Sequence, residues 1–188
     1  MLVKICGITT LEDALSSLQS GATALGFNYF PGSPRYIDPQ ESRDILKALP
    51  EGVLKVAVVV VAEQDPRPTI PPEIDVVQVH KARRESDLEG WGRKVWAAVK
   101  PDEVSRFPGR DILVDPSSGR GITADWDRLA GELGDRPYIL AGGLNPDNVA
   151  EAVRRARPQG VDVCSGVEAS PGRKDPLKLK RFLSEISL

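Results

Sequence analysis

Eight short apolar runs, each followed by a turn and most by a helical pattern, constrain this 188-residue chain more than any other feature. The runs are Leu2–Cys6, Ala24–Phe27, Val53–Val61, Val76–Val79, Val95–Val99, Ile112–Val114, Tyr138–Ala141 and Val161–Cys164. Helical patterns occupy Leu11–Ser20, Pro39–Leu49, Thr123–Leu133, Pro146–Ala156 and Pro176–Ile186. Strands alternating with helices predict a parallel sheet with covered faces. Eight such units predict one closed (β/α)8 barrel spanning residues 1–188. The competing architecture is an open doubly wound sheet, but no Gly-x-Gly-x-x-Gly follows the first strand.

Several helices carry their own end signals. Thr10 precedes the first, with Asp13 three residues on, a start like a capping box. Gly21 stands where a left-handed C-cap belongs. Asn145-Pro146 and Asp175-Pro176 each read as an N-cap followed by proline at the first helical position. The chain is short for a barrel that typically takes about 250 residues. The shortfall falls in one region. Four prolines lie within 66–72, where an ordinary helix cannot form. The segment Lys81–Gly90 is brief, and Pro101 and Pro108 leave at best one helical turn before the sixth strand. A thinned helical layer is therefore expected after strands 3 to 5.

Composition narrows the function. A net charge of −2 argues against a nucleic-acid binder. No apolar run approaches the roughly 20 residues that span a bilayer. The N-terminal residues form a strand pattern rather than a signal peptide. Two cysteines without metal-ligand spacing fit a reducing cytoplasm. With His80 the one histidine, a zinc site or histidine relay is not expected.

In the first strand, Val3 and Ile5 alternate with Lys4 and Cys6. Helices outside the barrel would take the apolar pair, so Lys4 and Cys6 point inward. Cys6 then lies at the C-terminal rim, where barrel enzymes do their chemistry. Taken alone, it would read as a small buried hydrophobe. Three further segments end strands in the same way. They are Ile112–Asp115 followed by Gly119, Gly121 and Ala124-Asp125-Trp126; Ile139–Pro146; and Val161–Glu168 followed by Pro171–Asp175. Together with Lys4–Thr9, these four segments resemble the phosphoribosylanthranilate isomerase family. The likeness runs from the first strand to the last helix and is weakest from about Ala62 to Asp111.

The resemblance implies an Amadori rearrangement of an N-phosphoribosyl anthranilate to the 1-deoxyribulose, with no metal or organic cofactor. A base must take the C2 proton and an acid must protonate the ring oxygen. Cys6 matches the family's base and Asp115 its acid. Arg35, in Gly32–Tyr36, matches an arginine facing the anthranilate carboxylate, which suits a guanidinium fork. Gly142, Gly143, Ser165 and Gly166 end the seventh and eighth strands, where phosphate binds on backbone N–H groups. Asp162 matches a carboxylate near the ribose hydroxyls, or pairs with Lys4 as a buried ion pair. His80 lies in a strand-four motif that carries Lys81 where the family has glycine, which favours core or rim packing for His80. Cys164 replaces a serine of the family.

Cys6 and Cys164 end neighbouring strands on the same face, at a spacing that suits a disulfide unless strand stagger separates them. The expected partner is a small phosphosugar–anthranilate substrate, with no nucleic acid and no membrane, in a monomer or homodimer. The alternatives are a related phosphosugar isomerase of histidine biosynthesis and a non-catalytic phosphate-binding barrel. The former uses aspartates as both acid and base, so Cys6 argues against it.

Overall fold

The computed structural model describes residues 1–61, 66–116 and 125–186. Eight parallel strands close in chain order, with β1 pairing both β2 and β8. They are β1 (Leu2–Cys6), β2 (Ala24–Asn28), β3 (Leu54–Val60), β4 (Val76–His80), β5 (Lys94–Val99), β6 (Asp111–Val114), β7 (Tyr138–Leu140) and β8 (Gly160–Val163). Each predicted run is therefore a barrel strand, with ends moved by a residue or so.

Strand alternation sorts the core into two apolar sets. Val3, Ile5, Leu25, Phe27 and their counterparts face outward and pack under the helices. Val56, Val76, Trp96, Leu113, Ile139 and Ala141 form a separate cluster inside the barrel. This inner plug fills the barrel below the C-terminal mouth, so the barrel is a floor for chemistry rather than a pore.

The helices are α1 (Leu11–Ser20), α2 (Pro39–Ala48), α3 (Trp126–Leu133), α4 (Val149–Ala156) and α5 (Pro176–Ile186). The expected caps hold for α1 and α5. Thr10 Oγ1 accepts from Asp13 N at 3.2 Å, and Gly21 takes φ +111°. Asp175 Oδ1 accepts from Leu177 N and Lys178 N at 2.9 and 3.2 Å. For α4 the expected start at Pro146 is early. Asn145 Oδ1 accepts from Asp147 N, and Asn148 Oδ1 accepts from Asn145 N. These side-chain bonds close a turn first, and the helix begins at Val149. For α3, Asp125 is the N-cap, accepting from Arg128 N. Thr123 and Ala124, expected at its start, lie outside the described residues.

The outer layer is thin where expected. Residues 66–75 form no helix, and a four-residue 3-10 helix (Glu85–Leu88) follows β4. After β5 the chain exceeds the single turn expected: Pro101–Arg106 is a six-residue 3-10 helix, about two turns. One addition was not anticipated. After β8 come a 3-10 turn, Ser165–Val167, and a hairpin of β9 (Glu168–Ser170) and β10 (Arg173–Lys174). The hairpin lies over the β1–β8 edge of the mouth, because Lys174 reaches the ends of both strands.

Candidate active site

The site is built from what β1 sends inward. Lys4 is fully buried, and its Nζ lies 2.8 Å from Asp162 Oδ1, its register partner on β8. Of the two expectations for Asp162, the ion pair is the one seen, although Asp162 also lines the mouth. Burial pushes the Asp162 carboxyl up, to about 6, while Lys4 pulls the other way. Burial disfavours the Lys4 ammonium, but Asp162 and Cys6 outweigh it and keep Lys4 charged.

Cys6 stands one step up the strand and is nearly buried. Its register partner on β2 is Gly26. A Cβ at Gly26 would fall 2.9 Å from Cys6 Sγ and 3.0 Å from Lys4 Nζ. The missing side chain is what lets thiol and ammonium share the space beside β2. A lone glycine in a strand carries no distinct signal, so nothing local in the sequence marks Gly26.

Cys6 is held well below the ordinary thiol range. The neighbouring Cys164 thiol is the leading cause, opposed by burial and joined by Lys4 and Lys174. The Cys164 thiol moves the opposite way, upward. Thiolate character therefore belongs on Cys6, the partner that also receives Lys4. Both cysteines are free thiols in this structure.

Asp115 follows β6, two strands from β8 around the ring. Its N–H donates to Val99 O at 2.9 Å, and the residue is half-buried at the mouth. Cys6, Arg35, Asp115, Gly142, Gly143, Asp162 and Ser165 all line one cleft of about 240 Å³. Gly142 and Gly143 take φ of +83° and +66°, values that favour glycine. A Cβ at Gly166 would fall 1.9 Å from Leu144 O. The turns after β7 and β8 thus touch backbone to backbone, and only glycine permits it. A larger concavity, about 670 Å³, lies on the flank between Tyr29, Tyr36 and the prolines of 66–72. Its Arg43 is tied to Glu73 and it holds no thiol, so the mouth carries the chemistry.

His80 sits at the same mouth, its Nε2 2.8 Å from Gln78 Nε2. Burial, aided by Lys4, pushes it down to about 4, so the ring is neutral near pH 7. It lines the cleft rather than the packed core. Gln78 Oε1 is buried with no hydrogen-bond partner among the described residues.

Two motif residues, Glu168 and Lys174, make contacts that no local sequence pattern signals. Glu168 accepts from Arg35 Nη2 at 2.6 Å and from Arg35 Nε at 3.2 and 3.3 Å. Lys174 is fully buried and donates to Cys6 O at 2.6 Å, Glu168 Oε1 at 3.1 Å and Cys164 O at 3.4 Å. Charge alternation hinted at neither contact, because both are made through a hairpin that sequence reading did not find. The motif residues Gly119 and Gly121 lie outside the described residues.

A closed (β/α)8 barrel with a low-pKa thiol, a carboxyl group and glycine turns at one C-terminal mouth belongs to the class of barrel enzymes that do acid–base chemistry on phosphorylated substrates. A family model described as N-(5'phosphoribosyl)anthranilate (PRA) isomerase matches residues 3–185. The N-(5'-phosphoribosyl)anthranilate isomerase of Geobacter sp. (strain M21) is 43% identical over 196 residues, covering 97% of this chain and 96% of its own. The crystal structure of phosphoribosyl anthranilate isomerase from Thermotoga maritima superposes with a TM-score of 0.88 at 35% identity, covering 100% of this chain and 99% of its own. A phosphoribosyl anthranilate isomerase in complex with reduced 1-(o-carboxyphenylamino)-1-deoxyribulose 5-phosphate gives 0.87 at 35% identity, with 100% and 98% covered. The chain belongs to the N-(5'-phosphoribosyl)anthranilate isomerase family.

Proposed function

We propose that this protein converts N-(5-phosphoribosyl)anthranilate to 1-(2-carboxyphenylamino)-1-deoxyribulose 5-phosphate in tryptophan biosynthesis, with Cys6 as general base and Asp115 as general acid. The observation that carries this reading is a thiol held below its ordinary range in the same cleft as a carboxyl group. Asp115 gives a proton to the ring oxygen, and the ring opens to an iminium at C1. The Cys6 thiolate then takes the C2 proton, leaving an enolamine that tautomerises to the ketose. Oxidation at C2 balances reduction at C1 within one molecule, so no redox cofactor is required.

Lys4, Arg35 and Lys174 each already hold a carboxylate partner. The substrate phosphate is therefore assigned to backbone N–H groups of the Gly142-Gly143 and Ser165-Gly166 turns. Arg35 takes the anthranilate carboxylate through its remaining N–H groups. Two free thiols in the mouth fit a reducing compartment, and we place the enzyme in the cytoplasm.

The test follows loss of anthranilate fluorescence with freshly made substrate. The native chain should turn over. Cys6→Ser and Asp115→Asn should each fold and bind substrate but lose about 10²–10⁴-fold in kcat. Near-native turnover in either variant would remove that residue from its role.

A further inference from the structure

Glu168 is among the most buried carboxylates of the described residues, with 4% of its side chain exposed. It has no place in the proton transfers. Its four partners are specific. Oε2 takes Arg35 Nη2 at 2.6 Å. Oε1 takes Lys174 Nζ at 3.1 Å, the Gly172 N–H at 3.2 Å and Arg35 Nε at 3.2 Å, with Cys164 Sγ at 3.7 Å. A guanidinium has five N–H donors in a fixed fork. Glu168 occupies the side formed by Nε and one N–H of Nη2. The end formed by Nη1 and the second N–H of Nη2 has no hydrogen-bond partner among the described residues, and Arg35 lines the cleft. That end keeps the geometry for a second carboxylate, bound end-on.

The carboxylate is itself anchored to the reacting strand. Lys174 Nζ joins Glu168 Oε1 to the carbonyl oxygen of Cys6. An unbroken chain of hydrogen bonds therefore runs from the Cys6 backbone through Lys174 and Glu168 to Arg35. Burial opposes the ionised form of Glu168, but Arg35 and Lys174 outweigh it and hold the carboxyl below its usual range.

We propose that Glu168 is a positioning residue that splits the Arg35 fork, fixing one side so that the other receives the substrate's aromatic carboxylate at a set distance from Cys6. This deepens the functional reading above and rests on it. Without Glu168, Arg35 still bears its charge but loses its fixed direction. The loss should fall on binding of the carboxylate more than on the chemical step.

The test is a double-mutant cycle with Glu168→Gln and Arg35→Ala, assayed on phosphoribosylanthranilate and on the phosphoribosyl adduct of aniline, which lacks the carboxylate. Glu168→Gln is expected to raise KM about tenfold, the scale of one charged hydrogen bond, with kcat within about threefold of native. In the Arg35→Ala background the same change should have little further effect, because its partner is gone. KM for the aniline adduct should not move. An unchanged KM, an equal increase in the Arg35→Ala background, or an equal increase for the aniline adduct would each overturn the proposal. Should Glu168→Gln fail to fold, Glu168→Asp withdraws the carboxylate by one methylene and is read in the same cycle. If neither folds, Glu168 is a folding group and the proposal falls. Failure of the native chain to turn over phosphoribosylanthranilate would instead sink the functional reading, a separate outcome.

Discussion

At the scale of single residues, Cys164 bears most on when the proposed base, Cys6, gives up its proton. Cys164 has one S–H, which lies 3.7 Å from Glu168 Oε1, with the Cys6 thiol as its other neighbour. The neighbouring Cys164 thiol leads the causes of the lowered Cys6 pKa, and turning its S–H to a Cys6 thiolate would stabilise that charge. The acid limb of the kcat/KM profile reports the base in the free enzyme. That limb should lie well below the ordinary thiol range of about 8.5. Cys164→Ala removes the donor, so Cys6 should deprotonate at higher pH and the limb should move up. Cys164→Ser restores a donor and should bring it back. A limb that stays in place in Cys164→Ala would show that Lys4 and Lys174 alone set the thiolate. The sequence marked Cys6 by its strand parity. It could not mark Gly26 or Glu168, because their roles exist only across strands or through the hairpin.

Among elements, the pairing of β1 with β8 matters most. Their register runs through Ile5 and Val163; Cys6 ends β1, and Cys164 is the first residue after β8. Neighbouring strands lie about 4.8 Å apart. Disulfides accept Cα separations of roughly 4.4–6.8 Å. Diamide takes two hydrogens from the two thiols as it becomes a hydrazine, leaving one S–S bond. Treatment should therefore consume both thiols in one intramolecular bond, abolish turnover and be reversed by a dithiol. Intact mass and thiol titration read the outcome, and Cys164→Ala should keep its activity under conditions that silence the native chain. Two titratable thiols with full activity after treatment would exclude the bond. The turn after β7 teaches a different lesson about elements. Asn145-Pro146 is a good local start signal, yet competing side-chain bonds from Asn145 and Asn148 delay the helix to Val149.

For the whole molecule, the Lys4–Asp162 pair lies across the seam where the barrel closes. Removing water from both charges is costly, and a buried pair often contributes little net stability. Breaking it from one side is another matter. Lys4→Met should cost about 3–5 kcal/mol in urea unfolding, since Asp162 is left buried without a counter-charge. Lys4→Met combined with Asp162→Leu should recover most of that stability. The double variant should still be slow, because Cys6 loses the ammonium that favours its thiolate. Recovery of both stability and rate would show that the pair is structural only.

The sequence by itself determined the architecture of this protein. Strand parity, proline placement and helix caps are local, and they specified eight barrel strands, the thinned flank and the inward direction of Lys4 and Cys6. Strand parity put Cys6 at the rim, while Arg35, Asp115 and the glycine turns were singled out by the family resemblance of their motifs. The tertiary structure alone decided which of those groups touch. Asp162 could serve substrate or Lys4, and only the register of β8 against β1 brought it within 2.8 Å of the ammonium. Glu168 and Lys174 became part of the site because a short hairpin folds back over the seam, joining residues as far apart as 168 positions in the chain. Such contacts depend on barrel closure, strand stagger and chain reversal, which no local periodicity encodes.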